Sequence, residues 1–289
     1  MSQKENLELP NRHSKKIRLK TIALMLFLSL PGMSASASDK GLQVEKLQKG
    51  KTVSIYLSRC RPLEASIVLT YKLENSRAST SSPALVQIKN RKPQLLSIIQ
   101  PINQTQAWRY NYHYEWKVGV PTRNPRIDHV YELPFESGKS YKVSQGYLGK
   151  RTHSDQYAVD FSMPEGTPIC AAWGGTVIDV KNDSTEHGDA EEFKDKANHI
   201  MIRHEDGTYA LYNHLKLNGP LVKTGQQVRT GDKIGLSGNT GYTSGPHLHF
   251  HVFQTEFDGK EIKYKTLPIT FKTKEGQTNS PKQGAYYTR

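Results

Sequence analysis

Gly245-Pro246-His247-Leu248-His249-Phe250-His251-Val252 is the stretch on which the C-terminal half turns. Three histidines alternate there with Leu248, Phe250 and Val252. Successive side chains of a β-strand point to opposite faces. This segment therefore predicts a strand with one apolar face and one face of imidazoles. Imidazole is both a zinc ligand and an acid/base group. A half-buried edge strand with incidental histidines is the simpler reading, but three in five residues favour a metal or catalytic site.

Working outward, Thr176 to Val180, Ile200 to Arg203 and Thr208 to Leu215 read as further strands, with Glu205-Asp206-Gly207 as a hairpin turn. No helical period is convincing beyond Tyr141. Asn182 to Ala197 is a polar, acidic insertion expected to be a surface loop, and Lys274 to Arg289 is a polar tail expected to be mobile. Upstream, Val53, Ile55 and Leu57 alternate with polar residues. Ile67 to Leu73, Leu85 to Ile88 and Gln94 to Ile99 are further β runs separated by loop-forming residues. In Trp108 to Trp116 one face holds Trp108, Tyr110, Tyr112, Tyr114 and Trp116. Such a row suits the core of a small β-sandwich better than a sugar-stacking platform. The expected fold is thus mostly β, with a β-sandwich over 38–135 ahead of an antiparallel β-sheet domain over 136–262. A terminal strand and polar tail occupy 263–289.

The first 37 residues read as a leader. Lys15, Lys16, Arg18 and Lys20 precede the apolar run Thr21 to Leu30, and Ala35-Ser36-Ala37 offers a cleavage site. An uncleaved anchor is the alternative; after cleavage no stable membrane insertion is expected. No cysteine lies near the cleavage site, which argues against a lipoprotein. The formal charge of +13 includes six Lys/Arg and two Glu in residues 1–37, a net of +4, which leaves +9 for the rest. A basic exported protein is drawn to polyanions such as cell-wall polymers, with an attraction that weakens in salt. No nucleic-acid motif is present, and export argues against nucleic acid as a partner. Two cysteines, Cys60 and Cys170, exclude a disulfide scaffold and a cysteine-rich zinc site but leave one bridge open.

A catalytic zinc needs about three protein ligands and one open position. Candidates are His153 and Asp160 in Gly149 to Phe161, His214 in Tyr212-Asn213-His214-Leu215, and His247 and His249. Periodicity alone does not separate His247 from His249 as a ligand. At these residues the chain resembles the lysostaphin/LytM-type zinc endopeptidases of the M23 group. The resemblance runs from about Gln145 to Val252, through Tyr157-Ala158-Val159-Asp160-Phe161, Gly235-Leu236-Ser237-Gly238-Asn239-Thr240-Gly241 and Gly245 to Phe250. The upstream β region is similar, more loosely, to the accessory region of exported bacterial members.

The resemblance implies a lysostaphin-like peptidase domain with one Zn²⁺ per chain, held by His153, Asp160 and His249. It implies His214 and His247 as catalytic non-ligands acting on a zinc-activated water. Its implied substrate is the peptide cross-links of peptidoglycan. The setting is then the periplasm, or the cell exterior or wall. One departure stands out. Many members place the first histidine four residues before the aspartate, whereas His153 and Asp160 are seven apart. His187, His199 and His204 are the substitutes, His187 and His204 reading as surface residues. His251, about 6.8 Å beyond His249 along the strand, is expected behind a ligand or lining the groove. The rival functions are a non-catalytic activator of other wall hydrolases, in which ligands would be lost, and a wall-binding module using the aromatic strand.

Overall fold

The computed structural model describes residues 41–122, 125 and 128–289; the leader reading of residues 1–37 lies outside the described residues. Two antiparallel sheets form the N-terminal part. One orders Leu42–Lys49, Thr52–Cys60, Gln94–Pro101 and Ser76–Ala78; the other orders Ala84–Ile88, Ala65–Glu74 and Arg109–Val118. Alternation dictates what each buries. Val53, Ile55 and Leu57 from the first sheet meet Ala65, Ile67 and Leu69 from the second, all fully buried. Each large aliphatic side chain so buried contributes roughly 1.5–3 kcal/mol. The aromatic row Tyr110, Tyr112, Tyr114 and Trp116 packs against this core, while Arg109, Asn111, His113 and Glu115 stay exposed. The row is therefore part of the sandwich interior.

The second part is built on one large antiparallel sheet. Its order is Gln227–Val228, Gly175–Lys181, Asn198–Arg203, Tyr209–Leu215, His247–Phe257, Ala158–Ser162, Ser140–Gln145 and Tyr286–Thr288, with Ile262–Thr266 extending off His247–Phe257. Leu248, Phe250 and Val252 enter the main core on one face, beside Val159, Phe161 and Tyr212. Tyr131, Leu133 and Phe135 also belong to this core, and Val130–Glu132 pairs with Thr270–Thr273.

The opposite face of the same sheet is shared. At one end it carries His247 and His249. At the other, Ile178, Met201, Tyr209 and Phe253 pack against Val118 and Leu63 of the N-terminal part. Polar bonds close that junction: Leu63 N donates to Ile178 O at 2.7 Å, and Arg61 makes a two-pronged pair with Asp179, both bonds 3.0 Å.

The polar tail is ordered. Gly276–Thr278 pairs with Thr270–Thr273, and Tyr286–Thr288 adds to the edge of the large sheet. Arg289 lies against Glu132 and donates to Phe135 O at 2.6 Å. Composition reports polarity, but backbone ladders order the tail, helped by Tyr287, which packs against the main core. Cys60 and Cys170 are both buried free thiols.

Candidate metal centre

Strand register assembles the floor of the site. Asp160 lies directly opposite His249, Ser162 opposite His247, and Asn213 opposite His249 on the other side. Residues opposed across antiparallel strands share a face. His153 arrives from the loop before Ala158–Ser162. That loop bonds to itself, through His153 N to Gly149 O, Gln156 N to His153 O and Leu148 N to Gln156 O. Ser154, Asp155 and Gln156 stay exposed while His153 is 1 % exposed. The seven-residue spacing is thus absorbed by an outward turn.

His249 Nδ1 is 2.9 Å from Asp160 Oδ1, and His153 Nε2 is 3.3 Å from the same oxygen and 3.2 Å from His249 Nδ1. One donor atom from each of His153, Asp160 and His249 falls within 4.8 Å of the others. Two imidazoles and a carboxylate are a donor set suited to a transition metal. His247 Nε2 stands 3.7 Å from Asp160 Oδ1, and the rings of His214 and His247 are 4.6 Å apart.

His214 owes its position to a bulge. Asn198 pairs with Leu215 and His199 with Asn213, which leaves His214 as the extra residue, at φ +64°. Alternation puts His214 on the core face with Tyr212. Instead the bulge turns its ring to the groove, beside Asn213. The ring is held there by His214 Nδ1–H, which donates to Thr240 O at 2.7 Å. Thr240 lies in the Gly238–Gly241 turn. A Cβ on Gly238 would collide with the Lys216 backbone, so only glycine lets that turn approach.

Electrostatics separate the groups. Burial alone would raise the Asp160 carboxyl, but hydrogen bonds from His153 and His249 outweigh it and hold the group well below the ordinary range. Burial pushes His153 down, yet bonding and attraction to Asp160 win and leave it raised. Burial, reinforced by His247 and His249, pushes His214 down to about 3, so its ring is neutral near pH 7.

These residues sit in a groove of about 1200 Å³. Asp189, Glu191 and Lys194 of the acidic insertion form one wall. The insertion is more than a surface loop: it contains the 3₁₀ turn Glu191–Lys196 and pairs His187–Gly188 in parallel with Gly241–Tyr242. Arg151 ties it across the groove, 2.8 Å from Asp189 and 3.1 Å from Ser244 Oγ. The three substitute histidines lie elsewhere. His187 is exposed in the insertion, and His199 bonds Asp179 at 3.0 Å. His204, expected on the surface, is buried: it stacks on Trp173 at 4.6 Å and donates to Gly174 O at 2.8 Å.

Residues 154–263 match the family model described as peptidase family M23. That span is an M23 peptidase domain. The M23 span contains Asp160, His214, His247 and His249 and begins one residue beyond His153, so His153 stands on geometry. Among relatives, the chain is 39 % identical over 151 residues to an uncharacterized metalloprotease of Buchnera aphidicola, covering 50 % of this chain and 37 % of the relative. It is 35 % identical over 118 residues to the peptidoglycan DD-endopeptidase ShyA of Vibrio cholerae, covering 39 % and 25 %. Among solved structures, the catalytic domain of lysostaphin from Staphylococcus simulans is 30 % identical. That match covers 44 % of this chain and 87 % of that one, at a TM-score of 0.32. The chain spans well under half the length of these two curated relatives.

Proposed function

We propose that this M23 chain is an exported zinc endopeptidase that hydrolyses peptide cross-links of bacterial peptidoglycan. One observation carries the proposal: His153, Asp160 and His249 converge within 4.8 Å on the floor of a groove, with two further imidazoles beside them. The relatives named for peptidoglycan endopeptidase activity support the substrate, and the net charge of +9 beyond the leader suits an anionic polymer. Residues 136–262 act as the peptidase domain and 38–135 as its accessory region. The leader reading and the substrate point to the periplasm.

In this proposal His153 Nε2, Asp160 Oδ1 and His249 Nδ1 hold the ion. Bound zinc supplies a Lewis acid that polarises a carbonyl and makes water more acidic. The chain's own part is proton handling. His214 and His247 each turn Nδ1–H to a backbone carbonyl, Thr240 and Gly245, and so present a bare Nε2 to the groove. His247 Nε2, nearer to Asp160, accepts the proton of the attacking water and returns it to the leaving amine. His214, held neutral, accepts a hydrogen bond that orients that water. The aromatic face of Arg109–Val118 packs against its own core, which disfavours a sugar-binding module. The test is metal analysis of purified protein paired with digestion of defined cross-linked muropeptides. One zinc per chain and cleavage are expected; full activity in metal-free protein overturns the proposal.

A further inference from the structure

Four imidazoles border the groove, and each turns one nitrogen away from it. His153 Nδ1–H donates to Gly146 O at 3.1 Å, His214 Nδ1–H to Thr240 O at 2.7 Å, and His247 Nδ1–H to Gly245 O at 2.8 Å. All three acceptors are main chain. His249 differs. Its Nδ1 faces Asp160 and His153, and its outward Nε2 meets a side chain, Nδ1 of His251, at 2.8 Å.

His251 is well fixed for that contact. It lies opposite Ala158 on one neighbouring strand and Leu211 on the other. Its ring meets His249 edge-on at 5.0 Å and Phe253 at 5.5 Å, between the groove and the junction with the N-terminal part. An imidazole that gives the Nδ1 lone pair to a metal carries its proton on Nε2. That N–H needs an acceptor, and the nearest is His251 Nδ1.

We propose that His251 is a positioning residue of the metal centre: its Nδ1 accepts the Nε2–H of His249 and so fixes both the tautomer and the rotation of that ligand. The proposal rests on the zinc reading above. It also sets the state of His251 itself, whose proton sits on Nε2. An outer acceptor raises a ligand's basicity as well as aiming it, and removing one typically weakens metal binding 10–100-fold. Here that role falls on a replaceable side chain, whereas each of the other three rings has a backbone carbonyl as its nearest Nδ1 partner, with Thr243 Oγ1 a longer second contact of His247 at 3.3 Å.

The test is Zn²⁺ affinity of the full chain by chelator competition, independent of turnover. His251→Phe keeps a ring and removes the acceptor; it should bind about 10–100-fold more weakly. His251→Asn puts Oδ1 as many bonds from Cα as Nδ1 and should restore binding to within a few-fold of the parent. Parent-like affinity in His251→Phe, or equal weakness in both variants, overturns the proposal. Asp160→Asn separates the two readings: zinc loss there with none in His251→Phe sinks only the role of His251, whereas zinc retained in Asp160→Asn overturns the metal site and this inference with it. A second measurement needs no variant. Imidazole ¹⁵N spectra of the zinc-loaded parent should show His249 protonated at Nε2 and coupled across the hydrogen bond to an unprotonated His251 Nδ1. A proton on His251 Nδ1 overturns the assignment even if His251→Phe does not fold.

Discussion

Asp160 and Asp179 are both buried on the large sheet, and each has an imidazole nitrogen at hydrogen-bond distance, His249 at 2.9 Å and His199 at 3.0 Å. For both, burial alone would raise the carboxyl, and bonded partners hold it low instead. Their surroundings then diverge. Both oxygens of Asp179 are taken by the Arg61 guanidinium, so the chain supplies its own counter-cation and the pair pins the N-terminal part to the sheet. Among the described ion pairs, Asp160 has only imidazole partners: His153, His249 and His247 all face Oδ1. An arginine on a buried carboxylate makes a latch. Imidazoles alone, each with its far nitrogen anchored, make a place for a cation from outside.

The largest expected effect tests that division directly. Asp160→Ala should lose both the metal and hydrolysis, since two remaining ligands rarely hold a catalytic zinc; metal content with muropeptide digestion reads this. A variant that keeps zinc would make the two aspartates equivalent. Next, His247→Ala should keep the metal and lose about 10² to 10⁴ in rate, the usual cost of an acid/base group. Zinc loss in His247→Ala but not in His249→Ala would reverse their roles.

Asp179→Ala should do the opposite of Asp160→Ala. Breaking a buried ion pair costs about 3–5 kcal/mol, read by denaturant unfolding, with zinc content unchanged. Asp179 has its carboxyl lowered in the fold, so its contribution is complete above the unfolded carboxylate range near 4 and is lost as pH falls below it. Asp179→Ala should therefore flatten the acid limb of the stability curve. Smallest of all, Arg151→Ala should change stability by less than about 1 kcal/mol, because its pair with Asp189 is more than half exposed on both sides. A larger loss would mean the groove strap acts as a second latch.

Much of this site was legible in the residues. His247 and His249 share a face by the two-residue period of a strand, and Asp160 lies in a contiguous block whose register is set by hydrogen bonding. His153 was reachable only as the histidine just upstream; its burial depends on the self-bonded turn through Gln156. The orientation of His214 was hidden, because a bulge breaks the alternation that strand reading assumes. The Asn182–Ala197 insertion looked like solvent-facing charge, and its place as a groove wall depends on pairing with Gly241–Tyr242. Arg61 and Asp179 are separated by 118 residues, and nothing local marks them as partners. The two-layer β architecture was plain from alternation, but the ordered tail was not, since edge pairing leaves no mark on composition.

The left-handed backbone at His214 has an evolutionary corollary. A side chain in that conformation costs on the order of 1–3 kcal/mol, and glycine or asparagine carries it most easily. Neither can accept a proton as an imidazole does. Drift toward the relaxed backbone would thus firm the fold and, in the proposed mechanism, remove the proton acceptor in one substitution. Under the proposed role of His214, position 214 is where selection for stability and selection for hydrolysis would pull apart, and its identity would mark which copies of the domain keep that role.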